Sequence, residues 1–230
     1  MKLLSIGKTI THDTLDIDSI SESLLSKDTS LEAYDYIIIH GGDGTIRRVT
    51  TLIHHLPHHA KIILNPIGSF NVIAKIHKVP SLESVLTRLS KQETLPTQKH
   101  HYFSLNHEMF LFSAGNMGDL QHILLAETLR LGILKKGILK YLLSILFLLP
   151  LHLILTPFML FSSKRFFIFT PARFIKKLGS FRGEVVAMSV NVENHYNFIE
   201  LDGDIVLIKD AIFKIKPEGY IQIVVKTKKP

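Results

Sequence analysis

Residues 36–45 read Tyr-Ile-Ile-Ile-His-Gly-Gly-Asp-Gly-Thr, and few architectures accommodate that passage. A run of β-branched and aromatic residues without polar alternation suits a strand buried on both faces, as in a parallel sheet. The run ends abruptly in Gly41-Gly42-Asp43-Gly44-Thr45, and Ile46, Val49, Ile53 and Leu56 then recur at helical spacing until Pro57. Glycines let backbone N–H groups approach an anion with no Cβ in the way. A helix beginning directly after the loop adds its dipole. Asp43 brings a carboxylate able to hold Mg²⁺ or bind nucleotide hydroxyls. An ordinary glycine-rich strand-to-helix turn would look similar, but the flanking strand, three glycines and an acid favour a phosphate site. The spacing is neither that of a Walker loop, since no Gly-Lys-Ser/Thr follows, nor that of a Rossmann loop.

A second loop supports this reading. The buried strand Lys61–Leu64 runs into Asn65-Pro66-Ile67-Gly68-Ser69-Phe70-Asn71, with a short helix expected over 69–75. Loops on successive parallel strands meet at the carboxyl edge of a sheet, so both could face one nucleotide. Elsewhere the pattern predicts a strand over Lys2–Ile6, a helix over Asp16–Ser26, and a helix from Pro80-Ser81 through Leu89. Near residue 93 the character changes. Strands are expected over Thr94–Leu105 and Met109–Ala114, joined by Asn106-His107. A leucine-rich helical stretch follows from Leu120. Further strands are expected at Phe166–Phe169, Val185–Val192, Asn197–Leu201, Ala211–Ile215 and Tyr220–Val225. The expected fold is an α/β N-terminal domain with a parallel sheet (1–92), then an antiparallel β-sandwich-like domain (93–230) with a helical apolar insertion at 120–161.

Lys and Arg number 27 against 20 Asp and Glu, a net charge of +7, which suits anionic partners without choosing among them. There is no Cys, hence no disulfide framework and no thiolate chemistry. No stripe of basic and aromatic residues supports nucleic-acid binding. No signal peptide is read at the N-terminus. Leu142–Phe161 carries no Asp, Glu, Lys or Arg and has the length of a membrane span. Pro150 and Pro157 interrupt it, and Lys135, Lys136, Lys140, Lys164 and Arg165 flank it. A segment that is buried or rests on an anionic membrane surface fits this pattern better than a span. His54, His55, His58 and His59 sit around Pro57, which breaks the register two ligands would need, so a solvated helix end is expected there.

Gly-Gly-Asp-Gly-Thr, followed by Pro66-x-Gly68-Ser69-x-Asn71-x-x-Ala74, resembles the catalytic domain of the diacylglycerol kinase family, which includes sphingosine and bacterial lipid kinases. Tyr102-Phe103 through Gly118-Asp119, Leu131–Leu142, Leu201-Asp202-Gly203-Asp204 and Phe213–Pro217 extend the likeness. The resemblance implies ATP-dependent phosphorylation of a lipid hydroxyl with Mg²⁺. Gly41, Gly42, Asp43, Gly44 and Thr45 would hold the phosphates, with Asp43 also taking part in catalysis. Gly68, Ser69 and Asn71 would complete the nucleotide pocket. Asp204, at the position of the family's Asp-Gly-Glu acid, would be the general base. From spacing alone, Asp202-Gly203-Asp204 is a hairpin turn. The implied setting is cytoplasmic, peripheral at the inner face of a membrane, with a lipid substrate and possible homodimerisation.

The chain also departs from the family pattern. The usual Asn-Pro-x-Ser-Gly loop after the first strand is replaced by Ser5-Ile6-Gly7-Lys8-Thr9. The usual Asn-Glu after the glycine loop is Arg47-Arg48, the usual Asp after Asn71 is Val72, and the usual Glu is Asp204. Either arginine could contact phosphate or face solvent. Two other readings therefore stand beside the lipid kinase: an NAD kinase-like enzyme on a soluble substrate, and a catalytically inactive nucleotide- or lipid-binding relative.

Overall fold

The computed structural model describes residues 1–25, 29–68, 71–116, 143, 146, 150, 166–170, 188–193 and 195–227. Ser69 lies outside these residues, as does the expected insertion at 120–161 apart from residues 143, 146 and 150. The chain forms two units, Met1–His101 with Tyr220–Pro230, and Tyr102–Gly219. It therefore leaves the first unit and returns to it, where the sequence suggested one division at 92/93. Two strands, β5 (Thr97–Leu105) and β12 (Ile212–Val224), contribute residues to both units.

In the first unit, β1 (Lys2–Ile6), β2 (Asp16–Ile20), β3 (Tyr36–Gly41) and β4 (Lys61–Pro66) are parallel, and the strand order is β2-β1-β3-β4-β12-β5. Ile37, Ile38, Ile39 and Ile62 are wholly buried, as the unalternating apolar runs require. The helices are α1 (Asp43–Ile53), α2 (Val72–Ile76) and α3 (Leu82–Ser90). Ile46, Val49 and Ile53 form the buried stripe of α1. Ser81 caps α3 by accepting from the Ser84 N–H at 3.4 Å.

The helix expected over Asp16–Ser26 does not form. Asp16–Ile20 instead pairs parallel with β1 from Lys2↔Asp16 to Ile6↔Ile20. Pairing satisfies the backbone groups along that side of β1, and the edge position tolerates the acids. Asp18 takes the Lys2 ammonium at 2.9 Å and the Tyr34 hydroxyl at 2.7 Å. A single 3₁₀ turn, Glu22–Leu24, is what remains of the helical tendency.

In the second unit, β6 (Glu108–Phe110) pairs antiparallel with β5, and β9 (Met188–Asn191) pairs antiparallel with β12. A separate antiparallel sheet has the order β11-β10-β7-β8, formed by Asp204–Ile208, Asn197–Leu201, Ser113–Gly115 and Phe167–Phe169. The expected strand Met109–Ala114 is thus split between two sheets at Leu111-Phe112. Phe110, Phe166, Ile168, Ile199, Leu201 and Phe213 are at the centre of this unit's core. The fold is the expected one: a largely parallel α/β sheet followed by antiparallel β structure.

Candidate active site

Both glycine loops lie in the first unit, at the carboxyl ends of the neighbouring strands β3 and β4. Their backbones touch. A Cβ on Gly68 would lie 2.8 Å from the Gly42 Cα, and one on Gly42 would lie 3.2 Å from the Gly68 Cα. Gly41 is needed for another reason, since its Cβ would stand 2.4 Å from that of Thr45. Gly42 is the N-cap of α1, so the N–H groups of the helix's first turn, with no intrahelical acceptors, open at this junction.

Asp43 is buried, and its carboxylate accepts from the Val72 N–H at 2.7 Å and the Ile73 N–H at 3.0 Å. It thereby ties the first loop to the start of α2. Burial pushes the Asp43 carboxyl above its ordinary range, while the Ile73 and Val72 N–H groups and the Lys75 charge pull the other way. Asn71, in the left-handed region at φ 48°, precedes α2, and its Nδ2 donates to the Gly68 carbonyl at 2.6 Å. Asn71 Oδ1 is buried without a hydrogen-bond partner. The two arginines behave differently. Arg48 pairs with both carboxylate oxygens of Glu22, at 2.5 and 3.3 Å, and reaches Thr45 Oγ1 at 3.3 Å. Arg47 is buried in α1.

Asp204 opens β11 in the second unit, half-buried and paired with Leu201. Asp202-Gly203 between them is a two-residue hairpin loop, with φ of 52° and 90°. The turn also carries a buried acid that pattern reading did not distinguish. Asp202 accepts from the Leu111, Phe112 and Ser113 N–H groups at 2.6, 2.8 and 2.9 Å, where the chain passes from one sheet to the other. Burial raises its carboxyl to about 7 against these three donors. Beside it, Glu200 accepts from the Ser113 hydroxyl at 3.0 Å and from the Gly203 N–H. The sequence signal for Asp202 was the Asp-Gly dipeptide, whose turn role concealed the carboxylate's second use.

The arrangement defines a two-unit protein whose α/β unit brings two glycine loops together at the carboxyl edge of its sheet. Residues 10–100 match the family model of the diacylglycerol kinase catalytic domain, which bears out the likeness read from the sequence. Among solved structures, the chain is similar to two of a "putative diacylglycerol kinase" from Bacillus anthracis str. Sterne. Each has a TM-score of 0.54 at 12% identity, covering 98% of this chain and 97% of the other. A likeness at that identity speaks to the fold. A diacylglycerol kinase structure from the same organism aligns over 57% of this chain and 51% of its own at 20% identity, with a TM-score of 0.40. A search of curated proteins found no match. Among the described residues, no helix is long and apolar enough to cross a membrane, and no group of three His, Cys, Asp or Glu residues could hold a metal ion.

Proposed function

We propose that the protein is an ATP-dependent lipid kinase, moving the γ-phosphoryl group of ATP to the hydroxyl of a diacylglycerol-like lipid. The observation that carries this reading is the cradle made by Gly42 and Gly68, where a Cβ on Gly68 would collide and one on Gly42 would crowd, beside the N-terminus of α1. A polyphosphate suits that cradle because it needs backbone donors at close range. Gly41, Gly42, Gly44 and Thr45 hold the phosphates, and the buried Asn71 Oδ1 supplies an acceptor for a nucleotide hydroxyl. Asp43 acts by joining the loops, since its two oxygens are engaged by α2. Mg²⁺ bound with the nucleotide would be held mainly by the phosphates, as suits an ion that gives up water reluctantly, and would supply charge neutralisation. Phosphoryl transfer needs positioning and charge neutralisation, with one carboxylate to orient the nucleophile. Asp204 takes that part, removing the hydroxyl proton. The basic composition and the apolar 142–161 stretch fit a substrate met at an anionic membrane surface, in the cytoplasm.

The test is transfer from radiolabelled MgATP to a panel of lipids presented in mixed micelles. A labelled lipid is the expected product. Label on NAD and on no lipid would replace this reading with that of a soluble-substrate kinase. Tight ATP binding with no transfer would leave a binding protein, a reading favoured by Val72 at a position where the family carries an acid. Asp204→Asn should lower kcat by at least about a hundredfold and leave the dissociation constant for MgATP within about twofold. Full activity in that variant would remove Asp204 from the base role.

A further inference from the structure

One buried side chain at the carboxyl edge is used by neither loop. His40 immediately precedes Gly41 and is only 6% exposed. The register of the parallel strands explains its neighbours. His40 stands beside Asn65 across β3 and β4, and Ser5 pairs with Ile38, two residues back on the same face of β3. Asn65 Nδ2 lies 2.8 Å from His40 Nδ1, and His40 Nε2 lies 3.0 Å from Ser5 Oγ. Ser5 Oγ in turn donates to the Lys8 carbonyl at 2.6 Å. An amide nitrogen can only donate and the Ser5 proton is already committed, so one protonation state satisfies the whole chain. His40 is neutral, its Nδ1 accepting from Asn65 and its Nε2–H donating to Ser5. The relay ends on the loop after β1, where Gly7 turns at φ 94°, close enough that a Cβ would meet the His40 carbonyl oxygen at 3.2 Å.

We propose that His40 is a positioning residue for the polyphosphate site, joining the loops that leave β1, β3 and β4 through the relay Asn65–His40–Ser5–Lys8, and that protonating its ring breaks the present Asn65 Nδ2 link and rearranges the β4 end of the relay. The inference rests on the nucleotide reading given above. A proton on Nδ1 leaves two donors facing each other at the Asn65 contact, so the Asn65 amide must turn away or turn over to offer Oδ1, and either movement breaks the link from Nδ2. The groups that face the ring are the Asn65 amide from β4, the Ser5 hydroxyl from β1, and the positive charge of Lys8 from the β1 loop. Burial and that charge both hold the imidazole below its ordinary value. The intact relay is therefore the state near neutral pH. It is lost as the pH falls through the lowered value.

The experiment compares wild type, His40→Gln and His40→Phe, with MgATP as the probe and its dissociation constant measured from pH 8 to pH 5.5. Glutamine keeps a donor near the Nε2 position and does not titrate; phenylalanine makes neither contact. His40→Gln should bind within about threefold of wild type at pH 7.5, and His40→Phe should bind roughly five- to tenfold more weakly than His40→Gln at every pH. Wild type should lose affinity on acidification relative to His40→Gln. Superimposable profiles for all three proteins would overturn the proposal. Ligand-free ¹⁵N-imidazole spectra test the relay separately. They should show the Nε2–H tautomer at pH 7.5, and titration below the ordinary histidine range. A Nδ1–H tautomer, or ordinary titration, also overturns it. If the spectra fit while wild type binds no MgATP, the nucleotide reading has failed and His40 positions loops that serve something else. That outcome removes His40's role at a polyphosphate site and leaves the relay.

Discussion

Asp202 and Asp43 solve the same problem at different depths: each carboxylate collects backbone N–H groups from a loop distant in sequence. The cost differs with burial. Asp202 is the more deeply buried of the two, and its carboxyl is raised to about 7, above the ~3.9 of an unfolded chain. The folded protein therefore binds this proton more tightly than the unfolded one. Its ionisation penalty is fully present above pH 7, and stability rises as the pH falls through about 7 towards 4. The distance between those two values sets a ceiling of roughly 4 kcal/mol on the effect. Asparagine cannot titrate, so the gap in unfolding free energy between wild type and Asp202→Asn should widen by a few kcal/mol from pH 8 to pH 5. Histidines held low by burial, such as His58 and His77, act in the opposite sense but equally in both proteins, and cancel. Denaturant unfolding at each pH measures the gap. A constant gap would mean that the three N–H groups keep Asp202 ionised throughout.

The elements show where sequence patterns were sufficient. β3, β4, α1 and α3 were legible because burial on both faces, helical spacing and a serine cap are local signals. Asp16–Ile20 was not, because Ile17 and Ile20, three residues apart, fit a helical stripe and not a strand's alternation, and pairing along the edge of β1 overrode it. The glycine loops were legible through the backbone approach they permit. The Asp43 link was not, since its partners lie 29 and 30 residues away. That link carries an expectation of its own. α2 has five residues, too few to persist alone, so its first N–H groups depend on Asp43. Asp43→Ala removes two charge-assisted hydrogen bonds, a loss of roughly 2–4 kcal/mol. Amide exchange should accelerate at Val72 and Ile73 while Ile38 and Ile63 stay protected. Unchanged protection at Val72 would show that the helix is held by its packing instead.

At the scale of the molecule, the fold class could be read from the change from βα alternation to strands, but the return of the chain to its first unit could not. Lys216-Pro217-Glu218-Gly219 looked like a break between two strands. β12 instead runs through it from Ile212 to Val224, because Pro217 and Gly219 end neither pairing nor burial on the flanking segments. The final stretch is then part of the first unit's own sheet, between β4 and β5, with Ile223 beside Ile62. Ile221, Ile223 and Val224 are at most 6% exposed. At about 1.5–3 kcal/mol for each buried aliphatic side chain, their loss amounts to roughly 5–9 kcal/mol, comparable with the whole stability of an ordinary domain. A chain ending at Gly219 keeps both glycine loops and every residue assigned to the phosphates. It should nonetheless show no cooperative unfolding transition for the first unit and no MgATP binding, read by circular dichroism and calorimetry. Retained binding would mean that β2-β1-β3-β4 stands without β12 to join it to β5.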